Sequence, residues 1–182
     1  KAPLDTTATV SGGAAHSGRA SPRRRKSAPK QPDPRMVAAM VVERSLVTSV
    51  PESKVLVAVL RRFPHLTERE RAFAAELVYT EVRMRHHIEA QLSAYARRNL
   101  TGDATLRAHL LVAATEILYF DLRGHSGPKA IDVAVSQLTV LRTPQIAGVA
   151  HGILSRLLIS QLPDEERDKA RPARGQDTAT SR

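Results

Sequence analysis

Apolar residues recur along this chain at helical spacing, in short runs separated by proline, glycine and small polar residues. Asp33-Pro34 reads as an N-cap followed by proline at the first helical position. It opens a helix with Val37, Met40, Val41 and Arg44 on one side, running to about Val47. Pro51 and Pro64 bracket a second helix carrying Leu56, Val59, Leu60 and Phe63. The run 55–60 would also fit a short strand, although no partner strand is evident. Thr67 and Glu70 form a capping-box pattern, in which each side chain can bond the other residue's backbone N–H. The third helix starts there and runs to about Arg85, with Phe73, Leu77 and Met84 on one face and Ala74 and Val78 beside them. Ile88, Leu92 and Tyr95 carry that face into a fourth helix, with a bend expected near His86-His87. Asn99-Leu-Thr-Gly-Asp103 is a turn, and the fifth helix follows with Leu106, Leu110, Ala113, Ala114, Ile117 and Leu118. Gly124, Gly127 and Pro128 separate it from a sixth, carrying Ile131, Ala134, Val135 and Leu138. Thr143-Pro144 repeats the cap-and-proline signal and opens a seventh, carrying Ile146, Val149, Ile153, Leu157 and Leu158. Seven short amphipathic helices with few loops predict an all-α orthogonal bundle over residues 34–162.

The two ends read differently. Residues 1–33 are rich in Ala, Ser, Thr, Gly and Pro, and Leu4 and Val10 are their only large apolar residues. Such a segment cannot bury enough surface to offset chain entropy, so a disordered tail is expected. Residues 163–182 are dense in charge and predict a flexible tail or linker. The absence of cysteine excludes disulfides, thiolate metal sites and cysteine nucleophiles within these 182 residues. It is compatible with a reducing cytoplasm, the expected location. No run approaches the ~18 apolar residues of a membrane span, so no membrane partner is expected.

Charge changes the picture more than hydrophobicity does. The chain carries a formal net charge of +10, of which residues 1–35 supply +6. A polyanionic partner is expected, nucleic acid being the commonest one, and a solvated basic tail without a specific partner is the alternative. The cluster Arg23, Arg24, Arg25, Lys26 and Lys30 has a direct mechanism, because flexible cations neutralise phosphates and release counterions. Arg35 extends it into the first helix, and Arg97, Arg98 and Arg107 are the second set of candidates, on the bundle. Many bundle arginines sit near Glu68, Glu70, Glu76, Glu81 and Glu89, so surface ion pairs explain them equally well. With three Tyr and three Phe, mostly at core spacing, no base-stacking platform is expected. The seven histidines do not make a metal site. His86 and His87 are adjacent, so they point about 100° apart on a helix, and there is no HExxH pattern. Gly124-His-Ser-Gly127 lacks the spacing of a nucleophile elbow. No cofactor is implied.

Four blocks in order resemble the NusB domain family. They are Arg71-Ala-Phe-Ala-Ala-Glu-Leu-Val-Tyr79 with Arg83, then Leu110-Leu-Val-Ala-Ala-Thr-Glu-Ile-Leu-Tyr119, then Ala130-Ile-Asp-Val-Ala-Val-Ser-Gln137, then Val149-Ala-His-Gly-Ile-Leu-Ser-Arg-Leu157. The likeness spans about Arg35 to Leu158. It implies a seven-helix RNA-binding domain, found alone as an antitermination factor or fused ahead of RsmB-type rRNA cytosine-C5 methyltransferases. Arg97-Arg98-Asn-Leu-Thr-Gly102, and the helix ending Ile-Leu-Tyr-Phe-Asp-Leu-Arg123, are similar in spacing to the methyltransferase-linked branch. The chain departs from the family pattern at Thr80, at Asp132-Val133, at His151 and at Gly148.

The resemblance implies a module that positions ribosomal RNA and performs no chemistry itself, since the branch's reaction runs through a thiolate this chain lacks. The alternative is a free-standing antitermination factor, binding leader RNA with a ribosomal protein and transcription elongation factors. A third reading is a helical protein–protein adaptor with an incidental basic tail.

Overall fold

The structure is a computed structural model that describes residues 33–96, 102–121 and 126–170. Among these residues there are seven α-helices and no strand: α1 (Pro34–Thr48), α2 (Glu52–Leu60), α3 (Glu68–Ser93), α4 (Ala104–Tyr119), α5 (Gly127–Leu141), α6 (Pro144–Gln161) and α7 (Asp164–Ala170). The all-α expectation holds, and 55–60 is helical. The division into seven differs from the one the sequence suggests. The expected third and fourth helices are one 26-residue helix, α3, unbroken at His86-His87. The apolar period runs straight through that point, since Leu77, Ile88 and Leu92 are all buried. The seventh helix lies where a flexible charged tail is expected. Asp164, Glu165 and Glu166 occupy its first turn, where negative charge offsets the helix dipole.

Helix starts follow local chemistry. Asp33 accepts from Arg35 N at 2.9 Å with Pro34 behind it, and Thr143 caps α6 ahead of Pro144. The Thr67–Glu70 capping box is complete on α3. Asp103 caps α4 by accepting from Leu106 N at 3.0 Å. At α5 the capping group comes from outside the turn, because Asp121 accepts from both Ser126 N and Gly127 N. A Cβ at Gly127 would lie 2.5 Å from Asp121 Oδ2 and 2.6 Å from Leu158 Cδ1, so glycine fills that position for lack of room.

Helix α4 is the centre of the bundle. It packs against α1, α3, α5 and α6, and every residue from Ala108 to Ile117 is buried. A helix surrounded in this way is apolar on nearly all sides. The core is aliphatic, built on Leu77, Leu110, Leu111, Leu138, Leu154 and Leu157. No helix among the described residues is long and apolar enough to cross a membrane.

Candidate nucleic-acid interface

The sequence-predicted cations meet different fates. Arg23, Arg24, Arg25, Lys26, Lys30, Arg97 and Arg98 lie outside the described residues. Arg35 and Arg107 are described, and both are engaged within the fold.

Arg35, at the start of α1, forms a two-pronged pair with Glu116 of α4. Its Nε donates to Glu116 Oε2 at 2.6 Å and its Nη2 to Oε1 at 2.5 Å. Glu116 is 1% exposed and the Arg35 side chain 11%. The guanidinium also lies over the Phe73 ring, 5.1 Å from its centroid, and Phe73 meets Phe120 edge to face. Burial pulls the Arg35 pKa down, but the bonds and charges of Glu116 and Asp33 outweigh it and the net shift is upward. Arg35 therefore keeps its charge, and its two bonds to Glu116 tie α1 to α4.

Arg107 sits in the first turns of α4 and pairs with Glu89 of α3. Nine residues of helix separate positions 107 and 116, roughly 14 Å along α4. Arg35 and Arg107 thus mark opposite ends of that helix and do not form one cluster.

Two further arginines are structural. Arg71 donates to the carbonyls of Leu60, Phe63 and Leu66, closing the chain between α2 and α3. Arg85 bridges two carboxylates, the fully buried Glu81 at 2.8 Å and Glu52 of α2 at 2.5 Å. The bonds that Arg85 donates to Glu81 lead in raising the Arg85 pKa, against the opposing effect of burial. Burial pushes the Glu52 carboxyl up, and the bond from Arg85 with its helpers brings it below the usual carboxylate range. By contrast Arg61, Arg62, Arg69 and Arg83 are exposed and make no ion pair among the described residues.

A polar cluster surrounds the start of α4. The Thr105 hydroxyl donates to Glu43 of α1 and accepts from Arg142 Nη2, and Arg142 also reaches Asp103. His109 Nδ1 bonds the Thr105 carbonyl at 2.9 Å. Its Nε2 is buried without a protein partner, beside a gap of about 10 Å³. That volume suits about one water. No group of three metal-ligating side chains comes together among the described residues.

The sequence reading missed the burial of Arg35, yet a signal was present. Thr115 and Glu116 interrupt the apolar run from Leu110 to Tyr119, and a carboxylate buried there needs a cation or hydrogen-bond donors. Glu81 carries the same signal, one turn beyond Leu77 on the buried stripe.

The bundle is an all-helical domain wound around one buried helix. The NusB family model matches residues 33–158, well over half the chain, and the chain belongs to the NusB family. Its fold is similar to a chain of the crystal structure of antitermination factors NusB and NusE in complex with dsRNA. The TM-score is 0.63 at 15% identity, covering 70% of this chain and 95% of that one. No curated protein sequence matches this chain.

Proposed function

We propose that this domain binds RNA and holds it for ribosomal RNA maturation, as the RNA-positioning module of the RsmB-type methyltransferase branch. The observation that carries the RNA reading is the NusB family match over residues 33–158. The fold likeness to a chain from a complex that contains dsRNA agrees with it. The net +6 of residues 1–35 supplies the charge such a function needs. The methyltransferase link rests on the resemblance of the segments ending at Gly102 and Arg123, and the methyl-transfer chemistry would then belong to a domain other than this one. Phosphate contacts position RNA without specifying sequence, which suits a module of this kind.

A second reading, a free-standing antitermination factor working with a ribosomal protein on leader RNA, is favoured by the antitermination factors in the similar structure. Crosslinking the protein to RNA in cells and sequencing the bound fragments separates the two. Enrichment of mature rRNA supports the first, and enrichment of leader transcripts supports the second. No RNA above a mock control would contradict both and favour a protein–protein adaptor.

A further inference from the structure

We propose that the outward face of α3 from Tyr79 to Gln91 is a contact strip for single-stranded RNA. In this strip Tyr79 offers a stacking surface and Arg83 a phosphate contact. The proposal rests on the RNA reading above and adds a location and a mode to it.

The chain has three Tyr and three Phe. Five of the six are half-buried against the core, and Tyr79 alone is exposed, at 48%. About half of Tyr79 is open to solvent on a helix, where its ring is within reach of a partner. Arg83 follows four residues later, on the same face. It is exposed and has no ion pair among the described residues. His86 and His87 come next, also exposed. His87 is held in place, with Nδ1 bonded to the Tyr119 hydroxyl and Nε2 near Gln91.

The carboxylates of this segment point elsewhere. Glu81 is fully buried on Arg85, and Glu89 is taken up by Arg107. The exposed positions between 79 and 91 are therefore Tyr79, Val82, Arg83, His86, His87 and Ala90, with no negative charge among them. Twelve residues of helix give the strip roughly 18 Å of length, enough for several nucleotides. Aromatic surface beside unpaired cations is what binds single strands, since every base has a face to stack and every linkage a phosphate. The mixture favours RNA over a protein partner, which would find only Tyr79 and Val82 as sizeable apolar contacts, beside an Arg83 unpaired among the described residues.

The test uses the whole chain and a fluorescein-labelled, mixed-sequence single-stranded RNA of about ten nucleotides, read by anisotropy over a range of salt. Tyr79→Ala should weaken binding about 5- to 150-fold at constant salt slope, the range for losing one stacked base. Tyr79→Phe, which keeps the ring, should bind as the wild type does. Arg83→Gln should reduce the salt slope by about 0.7, the value for one phosphate on a single strand. Tyr79 and Arg83 are exposed, so circular dichroism should show all variants folded. Tyr79→Ala binding as tightly as the wild type would overturn the strip and leave the RNA reading standing; a strip that serves a protein gives this result. Equal loss in Tyr79→Ala and Tyr79→Phe would overturn stacking. Absence of wild-type binding to the probe would overturn the strip, while the crosslinking experiment judges the RNA reading separately.

Discussion

Arg35 and Glu116 show what a buried charge costs and what it secures. Each prong of the pair satisfies a group that has left water, and the Phe73 ring covers the guanidinium. Removing one partner strands the other. Glu116→Ala should therefore destabilise the fold by about 3–5 kcal/mol in chemical denaturation, whereas Arg35→Met with Glu116→Leu together should cost far less. His109 makes a second prediction at this scale. Burial lowers its pKa from the ordinary 6.5, against the opposing pull of the Thr105 carbonyl and of Glu43. The unfolded chain thus takes up the proton first as pH falls. Stability is full above 6.5 and declines as pH drops from there toward the lowered folded value. His109→Gln should flatten that decline, measured as the difference in unfolding free energy between variant and wild type across this window. The identities of Arg35 and His109 were plain in the sequence, but their partners lie far along the chain. Pairing of Arg35 with Glu116, 81 residues away, follows from packing that no local pattern encodes.

At the scale of elements, the sequence was legible where a cap or a proline spoke. Asp33-Pro34, Thr67 with Glu70, and Thr143-Pro144 each open a helix where expected. It was less legible where composition had to stand in for geometry. Adjacent histidines suggested a bend, yet α3 continues, because burial of Ile88 and Leu92 rewards an unbroken register. A charged tail suggested flexibility, yet three acidic residues at its start favour a helix there. The centrality of α4 was partly visible in its long apolar run. Leu110 is fully buried in it, and Leu110→Ala should cost about 2–5 kcal/mol by thermal or denaturant unfolding. A change within about 0.5 kcal/mol, the usual surface value, would contradict that placement.

At the scale of the whole molecule, the fold divides the cations into those that hold the bundle together and those left for a partner. Arg35, Arg71, Arg85, Arg107 and Arg142 are bound to carboxylates or carbonyls within the domain. Sequence alone could not make that division, because a spent arginine and a free one read identically. The basic cluster of residues 23–30, Arg61 and Arg62 just after α2, and Arg69 and Arg83 of α3 remain as candidates for phosphate contact. The salt dependence of RNA affinity tests this most directly. If about five cations meet phosphates, log K should fall with log salt at a slope of roughly −3.5 to −4.5, a loss of ~100-fold or more between about 50 and 200 mM salt. Replacing Arg23, Arg24 and Arg25 with Ala should make that slope shallower by about 2 to 3. A wild-type slope near zero, or no RNA binding at the low-salt end, would contradict the account.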